Sequence, residues 1–229
     1  VDIVSEIENY KINQSRTIGI SKSNLDYFNQ NIVNIDKIVW KLRKIEIYSD
    51  NIKNEKILNF ENDKNQLFSI IKNHQIYEIL NKNLSKNLYF KKIKSEKKQL
   101  KLSEYNLIIN TDYNNYYTKK YFSKKIEKNY NSFAFTTLIN HEKIPNDVAI
   151  QIFTKKGPLA FLPLSNNETS MVYSIHSSNN INSEKIAKLI HKYNFKYKIK
   201  KIEKIEKFNL KSVILRSYYY KNILAFGDL

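Results

Sequence analysis

The most informative part of this 229-residue sequence is Gly157-Pro158-Leu159-Ala160-Phe161-Leu162-Pro163-Leu164-Ser165, followed closely by Ser170-Met171-Val172-Tyr173-Ser174-Ile175. Each run is mainly apolar over the length of a β-strand, and a polar link separates the two. One glycine and two prolines are unusual inside an ordinary central strand, because each proline removes a hydrogen-bond donor from the ladder. The first run therefore predicts either an edge strand interrupted by proline or a specialised segment of a sheet.

Strands are predicted on both sides of this segment, with short turn-like links between them. The predicted strands of this half span residues 132–139, 148–153, 159–164 and 171–175, and the links are 145–147, 155–158 and 165–168. Such close spacing is typical of an antiparallel meander. A helix capped by Ser183 and strands at 210–215 and 223–226 complete the second half.

The first half mixes helices with short strands. Val1 to Glu6 predicts a buried strand that ends in a carboxylate, and Ser21 or Ser23 is a candidate cap for a helix through about Asn31. Asn73 is a candidate N-cap for a second helix, which carries apolar residues at helical spacing. Further strands are predicted at 45–49, 56–60, 67–71, 88–93, 99–102 and 105–109. The predicted fold class is therefore α+β, with one sizeable antiparallel sheet.

The composition and the missing motifs exclude several kinds of site. The absence of cysteine excludes disulfides, thiolate metal sites and cysteine nucleophiles together. No apolar run approaches the ~20 residues of a membrane span, and no segment has the pattern of a signal peptide. The four histidines lack helical ligand spacing, and neither a Gly-x-Ser-x-Gly elbow nor a phosphate loop is present. Glu203 and Glu206 lie among lysines and indicate surface ion pairs rather than a glycosidase pair.

The formal charge of +17 raises the question of a nucleic-acid partner. Only Arg16, Arg43 and Arg216 are arginines, which leaves 36 lysines among the 39 basic residues. Arginine favours base and phosphate recognition, whereas lysine is the general soluble cation. We therefore expect a solvated lysine surface and no nucleic acid. A basic nucleic-acid-binding domain stays open as an alternative.

Three segments, in the right order, resemble the FAD-dependent aromatic-ring hydroxylases of ubiquinone biosynthesis, the 2-polyprenylphenol hydroxylase type. Gly157 to Ile175 is similar to that family's Gly-Pro-Leu-Ala-Leu-Leu-Pro-Leu segment, which forms the floor of the substrate cavity. Arg216 to Asp228 resembles its tyrosine-rich approach to a Gly-Asp flavin motif, and Gln14 to Ser21 resembles its Arg-Thr-x-Ala-Leu-Ser segment. The resemblance runs over most of the chain. It implies the aromatic hydroxylase flavoprotein fold, with a large antiparallel or mixed sheet as the substrate domain.

The resemblance implies six cofactor-binding residues, which are Glu6, Arg16, Asn73, Asp112, Gly227 and Asp228. Glu6 would bind the adenosine ribose, Arg16 would contact the cofactor, and Asn73 would lie at a helix start that faces the flavin. Gly227 would let the backbone approach the cofactor, and Asp228 would bind its ribityl or pyrophosphate region. No side chain is assigned as a catalytic acid or base, and no metal is implied, because the cofactor carries the chemistry.

One of these motifs departs from the family pattern. Asp112 matches the aspartate of an Ala-Asp-Gly-x-x-Ser motif, but Tyr113 replaces its glycine and Tyr116 its serine. A side chain at Tyr113 would occupy space that the family leaves free beside flavin or nicotinamide. This departure puts the cofactor geometry and the use of NAD(P)H in question.

The resemblance also divides the chain. Residues 1–72 would be a partial FAD-binding region with inserted strands, and 73–130 its remainder; residues 131–215 would be the substrate domain, and 216–229 would return to the FAD-binding region. With three glycines, the sequence holds no Gly-x-Gly-x-x-Gly motif, which such a region uses to hold the pyrophosphate. We therefore expect the sequence to be a fragment of a longer reading frame, with that motif upstream.

The implied activity of the intact protein is hydroxylation of a polyprenyl phenol ring, with FAD and NAD(P)H as cofactors. The implied location is cytoplasmic, with peripheral contact to the inner face of the cytoplasmic membrane and with a ubiquinone-biosynthesis complex as partner. A degenerate relative that acts only as an assembly partner is the alternative that Tyr113 favours.

Overall fold

The computed structural model describes residues 1–5, 14–50, 55–61, 66–94, 101–176 and 181–227. They form an α+β fold around one eight-stranded mixed sheet. The strands are β1 (Asp2–Ser5), β2 (Thr17–Ser21), β3 (Trp40–Leu42), β4 (Lys44–Ser49), β5 (Glu55–Glu61), β6 (Phe68–Lys72), β7 (Lys91–Lys94), β8 (Ile108–Asn110), β9 (Lys125–His141), β10 (Val148–Thr154), β11 (Gly157–Pro163), β12 (Glu168–His176), β13 (Ile199–Ile202), β14 (Glu206–Leu215), β15 (Tyr219–Tyr220) and β16 (Ile223–Ala225). The helices are α1 (Lys22–Asn31), α2 (Asn73–Leu84), α3 (Tyr116–Tyr121) and α4 (Ser183–Tyr193), and Leu102–Glu104 forms a short 3-10 helix. None of the described helices combines the length and the apolar character that crossing a bilayer requires.

The large sheet has the strand order β13-β9-β12-β11-β10-β4-β5, and β14 also pairs with β9. The pairs β9–β12, β12–β11 and β11–β10 are antiparallel, which confirms the predicted meander. β10 pairs with β4 in parallel, so the sheet is mixed. β4 and β5 come from the segment that the sequence analysis described as inserted strands.

β11 is a central strand, so the interpretation of its sequence as an edge strand is wrong. Pro158 and Pro163 occupy its second and last residues, opposite Phe153 and Thr169. The four residues between the prolines keep their backbone donors. The hydrogen-bond ladders to β10 and β12 therefore remain continuous through the middle of β11.

Gly157 begins β11 directly after a two-residue turn. Its φ is +135°, and a Cβ at this position would overlap the backbone carbonyl oxygen of Ser174 on β12. Both the backbone conformation and the close approach of β12 therefore require glycine here.

One face of the large sheet carries the main hydrophobic core. α4 begins after its N-cap Asn182, whose side chain accepts a hydrogen bond from the Lys185 amide, and packs Ile186 and Ile190 into this core. The remaining buried members are Phe135, Ile139, Ile150, Ile152, Leu159, Phe161, Met171, Tyr173, Ile175 and Tyr197. Because side chains alternate along a strand, the intervening residues face the opposite side of the sheet.

A three-stranded sheet of order β2-β6-β3 packs against part of that opposite side. Leu42 and Ile70 share a buried cluster with Ala149 of β10. Thr17 Oγ1 lies 3.2 Å from Ser170 Oγ on β12. These contacts fix β2 and β6 beside the middle of the large sheet.

Two short ladders pair strands in parallel. β1 pairs with β7, and β16 pairs with β8 while β15 lies on its other side. The Tyr105 hydroxyl donates to the Asp2 carboxylate at 2.9 Å, which connects the segment before β8 to β1. Since parallel strands end at the same edge, the residues that follow β8 and β16 lie close together.

Four local predictions differ from the structure. Ser183 is the first residue of α4 rather than its cap, because Asn182 holds the cap position and its side chain accepts from the Lys185 backbone amide. Asn73 is the first residue of α2 rather than its cap, because Lys72 holds the cap position and makes no side-chain hydrogen bond there. Leu88 and Tyr89 lie in an exposed turn, and β7 begins only at Lys91. Leu102 begins the 3-10 helix rather than ending a strand, and residues 99 and 100 lie outside the described residues. In contrast, Ser21 is confirmed as the cap of α1.

Candidate functional site

Arg16 and Asn73, two of the predicted cofactor residues, lie side by side. The antiparallel pairing of β2 with β6 aligns Thr17 with Lys72. The backbone amide of Asn73 donates to the backbone carbonyl of Arg16 at 3.0 Å. The sequence separates these residues by more than fifty positions, so the pairing of β2 with β6 is what brings them together.

The start of α2 suits an electron-rich group. Its cap position provides no side-chain acceptor, and its first turn holds no acidic residue. The amides of such a turn therefore retain hydrogen-bonding capacity at the positive end of the helix dipole. His74 offers a further hydrogen-bonding atom beside these amides, since its Nδ1 is buried without a hydrogen-bond partner in the described part of the chain.

A cleft of about 220 Å³ opens next to this helix start. Lys72 and Gln75 line it on the α2 side, and Glu168 lies opposite, where it forms a 2.7 Å ion pair with Lys72. The cleft wall is mixed in polarity, with Trp40 as its largest apolar member.

Asp112 and Gly227 form the second group, because β8 and β16 run in parallel and end together. Ala225 pairs with Asn110, and the Phe226 amide donates to the Asn110 carbonyl at 3.0 Å, so the two strands stay joined up to the residue before Gly227. The predicted motif around Asp112 and the predicted Gly-Asp motif thus meet at one edge of this ladder.

Asp112 shapes the turn that follows β8. Its Oδ1 accepts a 2.8 Å hydrogen bond from the Asn114 amide, and its carbonyl accepts from the Thr118 hydroxyl at 2.7 Å. Asn110 Nδ2 donates to the same hydroxyl at 2.7 Å. The turn is therefore held by side chains on both sides of Asp112, although Asp112 itself is exposed.

Gly227 has the backbone conformation that the predicted motif needs. Its φ is +87°, and apart from its two chain neighbours no residue of the described chain has an atom within 4 Å of the position that a Cβ would take. The glycine is therefore needed for its conformation, while the space beside it is open to a bound group.

Tyr113, which replaces the family's glycine, is held against the strands that lead into the large sheet. Lys125 donates to its hydroxyl and lies 4.6 Å from its ring centre, and Lys211 lies 5.3 Å from the same ring. The hydrogen bond from Lys125, helped by both positive charges, lowers the pKa of Tyr113 below 10.0. Tyr113 does not have a positive φ, so this position does not demand glycine for its backbone.

Two predicted residues cannot be placed. Glu6 and Asp228 lie outside the described residues. Their assignments therefore stay predictions.

The uncovered part of the large sheet forms the third component, which we call the floor. It consists of Ile47, Gln151, Ala160, Val172 and Ser174, all half-buried and all on the face opposite α4. The first four lie in one row across β4, β10, β11 and β12. Except for Ile47 and Gln151 the side chains are small, so the floor is shallow and can accept a flat ring.

The segment that carries Ser15 and Arg16 borders this floor. Ser15 Oγ lies 3.1 Å from Thr136 Oγ1 and donates to Glu206 at 2.7 Å. Thr136 is the partner of Val172 in the β9–β12 pairing and therefore continues the row of the floor. Three strand spacings, ~14 Å, separate Thr136 from Gln151. Gln151 belongs to no sequence motif, but its alternation with buried Ile150 and Ile152 is the signal that places it on this face.

No protein-family model matches the sequence, and no curated protein matches it either. Solved structures do match. The chain is similar to p-nitrophenol 4-monooxygenase PnpA from Pseudomonas putida DLL-E4, with a TM-score of 0.70 and 8% identity over 99% of this chain and 66% of that one. It is similar to pqsL, a probable FAD-dependent monooxygenase from Pseudomonas aeruginosa, with a TM-score of 0.72 and 9% identity over 99% and 71%. A third match is 2-methyl-3-hydroxypyridine-5-carboxylic acid oxygenase, with a TM-score of 0.64 and 11% identity over 93% and 64%.

The chain spans about two thirds of the length of these structures. At such low identity the likeness establishes the fold alone. The large mixed sheet and the α+β class agree with the expectation from the sequence. The chain therefore has the aromatic hydroxylase flavoprotein fold.

Proposed function

We propose that the protein containing this chain is a flavin-dependent monooxygenase that hydroxylates the ring of a polyprenyl phenol in ubiquinone biosynthesis. The observation that carries the proposal is the placement of the Arg16–Asn73 pair at the border of the floor, through the contact between Ser15 and Thr136. A cofactor held by that pair would stand beside a ring lying on the floor. The finer identity of the substrate rests on the sequence resemblance around Gly157 to Ile175.

The residues of the site would divide into two tasks. Arg16, Asn73, Asp112 and Gly227, with Glu6 and Asp228, would hold FAD. Among the described residues, three features fit a large polar cofactor: the open helix start, His74 Nδ1 without a hydrogen-bond partner and the open space beside Gly227.

When bound, FAD would supply the redox chemistry by which one oxygen atom of O2 enters the ring and the other leaves as water, with NAD(P)H as the two-electron reductant. The chain itself would orient the ring on the floor and keep water away from it. A phenol ring is already electron-rich, so no side chain needs to act as an acid or base in this proposal.

Titration of the 229-residue chain with FAD, followed by flavin fluorescence, tests the cofactor site. Because the sequence has no Gly-x-Gly-x-x-Gly motif, we expect a Kd weaker than about 10 µM. Arg16→Ala should weaken binding roughly tenfold further, since a charge-assisted hydrogen bond is lost. Arg43→Ala is the matched control, because Arg43 forms an exposed ion pair with Asp147.

Absence of saturable binding at about 1 mM FAD, or equal losses in the two arginine variants, would contradict the proposed cofactor site. Submicromolar affinity would instead show that the chain holds FAD without a glycine-rich loop.

Tyr113 supports a second candidate, a non-catalytic relative that acts as an assembly partner for quinone-synthesis enzymes. If its side chain blocks the cofactor, Tyr113→Gly should increase FAD affinity tenfold or more. The monooxygenase proposal predicts less than a twofold change, because Lys125 and Lys211 hold the ring. Tyr113→Phe is the control, since it keeps the ring and removes only the hydroxyl.

The proposal includes peripheral contact with an anionic membrane on the cytoplasmic side. Lys120 lies over the rings of Tyr116 and Tyr121, and Tyr121 stacks on Tyr220 at 4.1 Å. Together with Lys221 these residues form a basic aromatic surface, which suits a lipid interface. Each lysine near such a surface contributes about 1 kcal/mol.

Co-sedimentation with phosphatidylglycerol vesicles tests this contact. The double variant Lys120→Glu, Lys221→Glu should lose most binding, whereas Lys82→Glu, Lys86→Glu on the far end of α2 should lose much less. Binding that does not depend on anionic lipid would refute the membrane contact and would leave the flavin proposal untouched.

A further inference from the structure

Gln151 is a polar side chain in an apolar setting. Its neighbours across the strands are Ile47 and Ala160, and the residues that share its face of β10 are Ala149 and Phe153. It is half-buried, and its amide makes no hydrogen bond to the described part of the chain. An amide offers two donors and an acceptor, which need partners once a ligand displaces water from it.

The floor contains no charged side chain that could compensate an anion. Lys207 on β14 turns to the opposite face, where its Nζ lies 3.9 Å from the centre of the Phe133 ring. The row that contains Val172 continues beyond the floor through Thr136 to Glu206, whose negative charge would repel an anion. Lys155 and Lys156 lie in the exposed turn past Phe153. A carboxylate placed beside Gln151 would therefore lose its hydration without gaining an adjacent cation, because the segment that carries Arg16 contacts the sheet at Thr136, ~14 Å away.

An apolar strip leads from the floor to the free edge of the sheet. Leu58 is the partner of Ile47 and is 51% exposed, and Phe60 on the same face of β5 is 49% exposed. Phe153 is 45% exposed beside Gln151. Two strand spacings, ~10 Å, separate Gln151 from Leu58. An aliphatic substituent that leaves the ring in this direction would cover these side chains, which are otherwise exposed to water.

We infer that the floor selects a neutral phenol with an apolar side chain over a carboxylated aromatic, with the Gln151 amide bound to the phenol hydroxyl and the side chain lying along Leu58 and Phe60. This inference rests on the proposed function for the nature of the ring, and it adds the residue that sets the selectivity. Gln151 acts by binding and positioning the ring.

Binding is measured by isothermal titration calorimetry with the 229-residue chain in the absence of flavin. The probes are 2-octylphenol and its carboxylated counterpart, 3-octyl-4-hydroxybenzoate. The unsubstituted chain should bind the phenol at least tenfold more tightly. Gln151→Leu should weaken phenol binding about five- to tenfold, the worth of one hydrogen bond, and Gln30→Leu on the exposed surface of α1 should leave it unchanged.

Two further variants separate the ring contact from the tail contact. Gln151→Arg should reverse the preference, because a guanidinium pairs with a carboxylate. Leu58→Ser with Phe60→Ser should weaken 2-octylphenol severalfold and leave unsubstituted phenol unaffected.

Equal or tighter binding of the carboxylated probe to the unsubstituted chain would overturn the inference, as would no phenol binding or an unchanged affinity in Gln151→Leu. Since flavin is absent, this result is independent of the FAD titration. If FAD binding does not depend on Arg16 but the phenol selectivity is present, the proposed function is refuted. If FAD binding depends on Arg16 but the phenol selectivity is absent, only the selectivity is refuted.

Discussion

The large sheet and the two parallel ladders differ in how completely they bury their apolar residues. In the large sheet, Phe161 is 2% exposed and Tyr173 is 0% exposed, with paired strands on both sides. In the ladders, Ile109 on β8 is 57% exposed and Phe226 after β16 is 63% exposed. The floor therefore belongs to the well-packed region, whereas Asp112 and Gly227 belong to the sparsely packed one.

This difference indicates where folding free energy resides. Regions with few buried contacts and exposed strand edges open at a lower free-energy cost than densely packed cores. Under the proposed function, a ring bound on the floor would meet a rigid surface, while the residues near Asp112 and Gly227 could adjust to a large cofactor. The comparison makes three predictions for stability, of decreasing size.

The largest expected effect is from truncating the core of the large sheet. Phe161→Ala should lower the free energy of unfolding by about 3–5 kcal/mol, because it removes a buried ring and leaves a cavity. Phe226→Ala should cost less than about 0.5 kcal/mol, since the ring is already largely in water. Urea unfolding followed by circular dichroism measures both, and equal losses would remove the distinction between the regions.

A smaller difference is expected between two glycines. Gly157→Ala should cost about 3 kcal/mol, because the new Cβ meets the Ser174 carbonyl in addition to the strain of a positive φ. Gly227→Ala should cost about 1–2 kcal/mol, which is the conformational strain alone. Thermal unfolding of the two variants tests this order, and a larger loss at Gly227 would mean that the ladder is the more tightly constrained region.

The smallest effect concerns pH at the outer strands of the large sheet. Burial raises the pKa of Glu46, but hydrogen bonds from Lys56 and Tyr48 outweigh it and hold the pKa below 4.5. A carboxyl whose folded pKa is depressed stabilises the protein above its unfolded pKa, and the contribution is lost as pH falls through the folded value. Glu46→Gln should therefore cost about 0.5–1 kcal/mol at pH 7 and almost nothing at the acid end.

The control for this pH dependence is Glu78→Gln on the exposed side of α2. Its unfolding free energy should follow the unsubstituted chain from pH 7 downward. Parallel curves for Glu46→Gln and the unsubstituted chain across that range would show that the Glu46 cluster adds no stability.

The sequence was sufficient for features that depend on local chemistry. Alternation and short polar links predicted the β10–β12 meander, and the side chain of Ser21 predicted the start of α1. The prolines of β11 left an edge strand open as one of two alternatives, and that alternative is wrong, because the cost of a missing donor depends on where in the strand the proline lies. Pro158 and Pro163 fall at the two ends, which only the register reveals.

Features that depend on distant partners could not be predicted from the sequence. Asn146 looked like a turn residue, yet it is 1% exposed. Its carbonyl accepts from Trp40, its side chain accepts from Lys196 and Tyr197, and its amide donates to Thr169. The adjacency of Arg16 and Asn73 likewise follows from the β2–β6 pairing. The resemblance named the residues of the candidate site, but only the fold shows which of them lie together.

The pairing of β9 with β14 has a consequence for how this architecture can diversify. Lys125 and Leu215 are partners at the start of β9 and the end of β14, and the Arg216 amide donates to the Lys124 carbonyl at 2.9 Å. The chain thus leaves and rejoins the ladder region at neighbouring positions, about 5 Å apart. Recombination could therefore exchange segment 125–215 as one piece if the replacement keeps an edge for β4 to pair with and the surface that contacts Thr17, Leu42 and Ile70. New ring specificities can then arise without rebuilding the part of the chain that would hold the cofactor.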